Sequence, residues 1–150
     1  MHALTKGLLA GAAGTTVLNL VTYGDMLLRA RPSSEVPADV ADRLADRAGV
    51  DLGGEEDAGN REQAAGALLG LATGLGVGTA YGLLRGAGVR LPAWLDGPLL
   101  GALAMAGSDV PAAGLGVTDP REWGGESWVS DIVPHLAYGV VTALALRALD

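Results

Sequence analysis

The sequence predicts an all-α fold: a four-transmembrane-helix bundle, built as two tandem helical hairpins, with a short extra helix in its first loop. Three observations lead there. Apolar residues make up 49% of the 150 positions and charged ones 18%, a balance foreign to most soluble domains. Small residues replace bulky ones: 24 glycines and no phenylalanine would make a poor core in water, but suit helices that pack in lipid. The apolar residues also gather in four long stretches, 7–28, 64–84, 97–117 and 128–146. Each is close to the roughly 20 residues that carry a helix across hydrocarbon. A soluble four-helix bundle would show a polar face on every helix instead. The length fits a single membrane domain over residues 1–150.

The first stretch follows Lys6 and runs on into Tyr23, Asp25 and Arg29 without a small-residue cleavage pattern, so it reads as a retained helix. Asp25 and Arg29 stand one turn apart and can pair. From Arg29 to Arg61 the chain is long and polar, and within it residues 37–48 carry helix signals. Pro37 suits a first helical position, Gly49 a left-handed cap, and Asp39 can pair with Arg43. Val36, Val40 and Leu44 form a narrow apolar stripe, expected to rest on the protein or the headgroup layer. Gly53 to Asn60 reads as flexible loop.

No charge interrupts the second stretch between Glu62 and Arg85, and Gly66, Gly70, Gly74, Gly78, Gly82 and Gly86 recur there every four residues. Such spacing opens a groove along one helix face, into which a partner backbone can settle for dispersion contacts that lipid cannot match. The partner helix is left open, internal or from a second subunit. Gly7 with Gly11, and Gly97 with Gly101, begin shorter grooves on the first and third stretches.

Ionisable groups fall at membrane depth. Asp109 lies roughly 12 Å inside the third stretch. At the helix centre an aspartate facing lipid costs about 2.5–3.5 kcal/mol, so it should face the bundle interior. His135 on the fourth stretch and Asn19 on the first reach a similar depth, and an Asp109–His135 hydrogen bond is the expected pairing. Asp131, His135, Gly139, Ala143 and Arg147 share one face of the fourth stretch at four-residue spacing. Pro111 removes a backbone donor beside Asp109. The cluster can serve as interhelical glue or as part of a proton or ion path. Trp94, Trp123 and Trp128 all fall near predicted helix ends, where indole rings favour the headgroup layer.

Composition also limits the chemistry. The net charge of -7 sits largely in one region, since ten of the seventeen acids lie between Asp25 and Glu62. Without a basic patch to neutralise phosphates, no nucleic-acid partner is expected. There is no cysteine, and the only histidines are His2 and His135, without paired metal-ligand spacing. No serine elbow or phosphate loop is present. No enzyme activity, metal or cofactor is therefore expected. The expected partners are the lipid bilayer and either further copies of the chain or another membrane subunit.

Setting Gly7 against Gly97 aligns Gly-Leu-Leu-Ala-Gly-Ala with Gly-Pro-Leu-Leu-Gly-Ala and puts Asn19 opposite Asp109. Ala80-Tyr81-Gly82 recurs as Ala137-Tyr138-Gly139. These matches suggest two hairpins in tandem. With both termini on one side, that side holds Lys6, Arg85, Arg90 and Arg147, while the other has six arginines diluted among acids in longer loops. Raw counting and density disagree; density places the termini in the cytoplasm.

The segments Asn19-Leu-Val-Thr-Tyr-Gly-Asp25-Met with Arg31-Pro-Ser-Ser34, Arg43-Leu-Ala-Asp-Arg-Ala-Gly-Val-Asp51-Leu, Asp109-Val-Pro111, Thr118-Asp-Pro-Arg-Glu-Trp123 and Asp131-Ile-Val-Pro-His-Leu-Ala-Tyr-Gly139 are the marks of a resemblance that spans most of the chain. In these segments the chain resembles small four-helix actinobacterial-type integral membrane proteins of unknown function. The Gly-Leu-Gly-Val-Thr-Asp-Pro stretch is more distantly similar to YagU-type inner-membrane proteins. The resemblance implies a compact helical bundle in a bacterial inner membrane and carries no catalytic residue with it. The leading expectation is thus a non-enzymatic bundle that packs through glycine faces as an oligomer or accessory subunit. The alternative is a small proton or solute conductor using Asp109 and His135.

Overall fold

A long apolar stretch can satisfy its own backbone N–H and C=O groups only by closing them into helix, and each of the four apolar stretches does so. In a computed structural model of the chain, which describes all 150 residues except the side chains of 55 and 56, the elements are five α-helices with no strand among the described residues. They are α1 (Ala3–Arg29), α2 (Val36–Ala48), α3 (Glu55–Gly86), α4 (Ala93–Gly114) and α5 (Gly125–Leu149), with a 3-10 turn over Pro120–Glu122 before α5. Three of them, α1, α3 and α5, are long and apolar enough to cross a membrane. α4 falls short of the four expected because Asp96, Asp109, Pro98 and Pro111 dilute its apolar content.

The helices overrun the apolar stretches that announce them. α3 starts at Glu55, so the loop expected over Gly53 to Asn60 gives way to helix from Glu55 onward. Gly54 stands extended as its cap, and its carbonyl accepts from Ala58 N–H at 2.8 Å. Polar turns outside a bilayer leave no trace in hydropathy, although their backbone bonds continue the same helix. α4 stops three residues before 117. Gly116 takes φ 72°, the N–H of Val117 reaches back to Ala112 O and that of Gly116 to Ala113 O, which closes a Schellman cap.

α2 forms where its proline and glycine place it: Pro37 lies in the first turn, and Gly49 at φ 67° closes a similar cap through Asp46 O and Ala45 O. It lies on α3 and reaches α4. Its buried residue is Ala41, and Leu44 of the expected stripe stays exposed. Among the described residues Asp39 and Arg43 form no ion pair; the pair at this spacing forms at Asp57 and Arg61 instead.

α1 packs along α3 and along α5, and α5 packs along α4, while α3 touches α4 only lightly. The chain therefore runs up, down, up, down around a ring that is close-packed on three sides and loose on the fourth. Glycine makes the tight sides. A Cβ added at Gly78 would stand 2.5 Å from Gly11 Cα, one at Gly82 2.6 Å from Gly7 Cα, and one at Gly7 2.7 Å from Gly78 O. These are backbone atoms that cannot swing aside. In the second hairpin Gly139 meets the backbone of Gly97 and Gly101 in the same way.

The six-glycine row of α3 does not serve one partner. Four residues turn a helix by about 400°, so each step drifts about 40° and the row winds around the rod. Gly66 accordingly abuts Pro37 of α2, Gly70 has nothing within 4 Å, and Gly74 to Gly86 face α1. The groove is filled from within the chain.

The outside is more apolar than that of a soluble fold, and the interior holds polar groups beside its apolar core. Asp96 and Thr142 are 0% exposed, whereas Leu20, Leu27, Leu28, Leu68, Val110 and Leu144 are 60% or more exposed on the outside. Gly78→Ala should cost about 1–3 kcal/mol of unfolding free energy in detergent, because the new methyl meets backbone. Gly24→Ala, with nothing within 4 Å of the added atom, should be neutral or stabilising in the same titration.

Candidate functional site

Burial singles out the polar groups with something to explain, and they form three clusters. The first lies between α4 and α5. His135 Nδ1–H donates to Asp131 O at 2.8 Å and lies 3.3 Å from Asp131 Oδ1, one turn back on its own helix. A carbonyl can only accept, so Nδ1 carries the proton and Nε2 is left with the lone pair in the neutral ring. The expected Asp109–His135 hydrogen bond is thus replaced by one inside α5. Depth along a helix does not fix the direction a side chain takes around it, and the four-residue neighbour reaches first.

Asp109 sits in the same cluster, within side-chain hydrogen-bonding reach of the Asp131 carboxyl and close enough to His135 for their charges to interact. Ser108 Oγ donates to its Oδ1 at 3.4 Å. Asp131 Oδ2 is buried without a hydrogen-bond partner among the described residues. Asn19 does not join them: it is half-buried on α1, with no hydrogen-bond partner among the described residues.

The second cluster is the Asp25–Arg29 pair that the four-residue spacing predicts. Arg29 Nε and Nη2 donate to the two Asp25 oxygens at 2.6 Å each, a fork-on-carboxylate geometry. Arg31 Nε donates to Asp25 Oδ2 at 2.5 Å, and Arg29 Nη2 also donates to Ser130 Oγ, which ties α1 to the start of α5.

The third and most buried cluster was not picked out in the sequence. Asp96, in the first turn of α4, accepts from Tyr81 OH on one oxygen and from Arg147 Nε at 3.2 Å and Nη2 on the other, with Arg85 Nη1 3.5 Å away. Arg85 is 8% exposed and donates through Nε and Nη2 to Asp150 Oδ2. Asp150 also pairs with Arg90 at 2.9 Å and Lys6 at 3.3 Å. One knot therefore joins α1, α3, α4 and α5 at the end where the chain begins and stops. The available signal was that Lys6, Arg85, Arg90, Asp96, Arg147 and Asp150 all flank helix ends on one side. Counting their charges for orientation hid the fact that charges at one level, on adjacent helices, can pair.

The two tyrosines of the repeated Ala-Tyr-Gly triplet act reciprocally. Tyr81, on α3, donates to Asp96 on α4, and Tyr138, on α5, donates to Gly74 O on α3 at 2.6 Å. Each hairpin so supplies one buried hydroxyl to the other. The Asp131, His135, Gly139, Ala143 and Arg147 face of α5 is the one turned towards α4, through the Asp109 contact, the glycine contact and the Asp96 ion pair.

Among the described residues, no group of three or more acids, histidines or cysteines is arranged to hold a metal ion. No protein-family model, no curated protein and no solved structure matches the chain.

Asp96→Ala should cost about 3–5 kcal/mol of unfolding free energy in detergent, since it leaves the Arg147 and Arg85 charges without their buried partner. A loss under about 1 kcal/mol would show that the knot is not a buried ion-pair network. The Arg85 guanidinium, helped by Lys6 and Arg90, holds the Asp150 carboxyl at about 2, below its ordinary 3.8. A depressed carboxyl stabilises the fold above its ordinary value and loses that contribution as pH falls towards its folded value. Melting temperature should therefore drop between about pH 4 and pH 2, and Asp150→Asn should flatten that part of the profile.

Proposed function

We propose that the chain is a four-span integral membrane protein of a bacterial inner membrane that works as a non-enzymatic, helix-packing component. One observation carries the reading: large apolar side chains, Leu27, Leu28, Leu68 and Val110 among them, cover the outside, while Asp96 is as fully buried as the core residues Leu100 and Tyr138. Water would favour the opposite distribution, and hydrocarbon favours this one.

α4 is counted as the fourth span on the strength of its surroundings. Its 22 residues reach roughly 33 Å as helix, enough for a hydrocarbon core of about 30 Å. Asp96 is shielded by Tyr81 and Arg147, Asp109 faces Asp131, and the outward side presents Leu103 and Val110. The duplication expected from the Ala-Tyr-Gly repeat is supported by the matching glycine contacts, Gly82 on Gly7 and Gly139 on Gly97. The resemblance to small actinobacterial-type and YagU-type membrane proteins agrees with a bundle of this size. Lys6, Arg85, Arg90 and Arg147, gathered at one end in short segments, favour termini in the cytoplasm.

What this component packs against is read from α3. Its glycine row is spent on α1 and α2, but Ala72, Gly76 and Ala80 lie exposed at four-residue spacing between exposed Leu69 and Leu83. A strip of small residues open to lipid is the surface on which a second transmembrane helix gains close backbone contact. That helix belongs to another copy of the chain or to another membrane subunit.

A second reading, proton or small-solute conduction, is favoured by the Asp109, Asp131 and His135 cluster and by the unpartnered Asp131 Oδ2. Three exchangeable groups along one helix pair can pass a proton between them.

Two experiments test these readings. The chain has no native cysteine, so Ala87→Cys and Ser34→Cys can each be labelled in intact cells with a membrane-impermeant maleimide. Four spans with cytoplasmic termini protect Ala87→Cys and expose both Ser34→Cys and a third variant beyond α4, Gly124→Cys; labelling of Ala87→Cys from outside, or protection of Gly124→Cys, counts against the placement. Gly76→Leu should diminish crosslinked complexes while leaving the monomer folded, and unchanged crosslinking removes the packing role. In liposomes, a proton flux above that of empty vesicles and abolished by Asp109→Asn would favour the second reading; a flux equal to empty vesicles eliminates it.

A further inference from the structure

Beside the Asp96 knot lies a cavity of about 280 Å³ that neither reading uses. It is lined by Lys6, Arg85 and Arg90, by Asp150, and by small residues of α3 including Gly82 and Gly86. Its volume far exceeds the roughly 30 Å³ that one water molecule takes up. We propose that this cavity is a binding site for a phosphate-class oxyanion, the phosphodiester headgroup of an anionic lipid.

Charge and donor counting support the assignment. Lys6, Arg85, Arg90 and Arg147 share two side-chain carboxylates, Asp96 and Asp150, so four positive charges meet two negative ones and the side chains of the cluster carry a net charge of +2. Arg85 is committed: its Nε and Nη2 donate to Asp150, and Nη1 stands near Asp96. It forms a fixed wall. Lys6 has three donor hydrogens and places one on Asp150, and Arg90 has five and places one there. The unspent donors border the cavity, and Arg90 is 64% exposed, free to close on an occupant. Asp150 holds three cations around one opening, an arrangement that a tetrahedral oxyanion can bridge.

Position selects the source. The cluster lies at the ends of α3 and α5 and near the starts of α1 and α4, the level of the headgroups in the four-span placement, on which the choice of a lipid rests. Basic pockets between helices at that depth take anionic headgroups, and each lysine or arginine near the surface strengthens the attraction. The shared chemistry with inorganic phosphate allows a test that needs no bilayer.

The full chain, purified in nonionic detergent without phosphate, would be titrated with inorganic phosphate against chloride at equal ionic strength. A parallel titration would compare phosphatidylglycerol with phosphatidylcholine, with melting temperature and lipid retention by native mass spectrometry as readouts. Saturable stabilisation by phosphatidylglycerol alone is expected. Lys6→Gln and Arg90→Gln should each weaken it about fivefold, and together about 25-fold. Circular dichroism would check that the variants remain folded. If inorganic phosphate matches phosphatidylglycerol with the same residue dependence, the site takes the free anion. Phosphatidylglycerol no better than phosphatidylcholine together with phosphate no better than chloride, or a double variant that binds like the wild type, overturns the proposal. Failure of the four-span placement would appear in the cysteine labelling and would leave the phosphate titration unaffected.

Discussion

Two helix backbones come into direct contact where at least one of them carries no side chain, and the architecture of this protein follows from the places where that happens. Gly7 and Gly11 meet Gly74, Gly78 and Gly82, and Gly97 and Gly101 meet Gly139. At such contacts dispersion between closely approached main chains supplies an attraction that lipid tails do not equal, since lipid is as apolar as any leucine. Close approach also brings main-chain oxygens within reach of side chains from a third helix. Tyr138 donates to Gly74 O beside Thr15 of α1, whose Oγ1 occupies the place a side chain at Gly74 would take. Gly14 leaves room for Thr142 and Tyr138 in the same manner, so glycines on α1 admit the polar side chains of α5 to the interior.

Once the backbones are close, the interior can hold polar groups, and they are there for their bonds rather than for their volume. Asp96 is 0% exposed and has a donor on each oxygen. Thr142 Oγ1 and Asp131 Oδ2 are the buried side-chain atoms, among the described residues, without such a donor. They differ in kind. A threonine hydroxyl can rotate to find an acceptor, whereas a carboxylate oxygen needs a proton brought to it. The chemistry of the bundle therefore gathers at Asp131 and its neighbour Asp109, and its mechanical cohesion gathers at Asp96 and at the glycines.

Much of this was legible in the sequence. Helix number along α1, α3 and α5 follows from hydropathy, α2 from Pro37 and Gly49, and the Asp25–Arg29 pair from four-residue spacing, because each is a local property. What escaped was relative rotation. The row from Gly66 to Gly86 looks like one groove on paper, yet the mismatch between four residues and 3.6 per turn carries it from α2 to α1 with a bare position at Gly70. Asp109 and His135 share a depth, but the partner of His135 is decided by azimuth, and the near neighbour on its own helix takes the bond. Asp96 drew no attention, since nothing local reveals that Tyr81, Arg85 and Arg147 converge on it from two other helices.

The status of α4 shows why that convergence matters. A hydropathy sum assigns every aspartate the same penalty wherever its carboxyl points, and by that measure α4 falls below its three neighbours. The cost of an ion in lipid is a cost of losing water without replacement, and Asp96 has its replacement in Tyr81 and Arg147. Arg147 benefits by the same contact, so one pairing removes the unfavourable term from two helices at once. The apolar character of α4 is then a property of the bundle and not of the helix by itself. In the four-span placement proposed above, α4 meets hydrocarbon only with α3 and α5 beside it, and Tyr81 and Arg147, one on each, make its place in the ring specific.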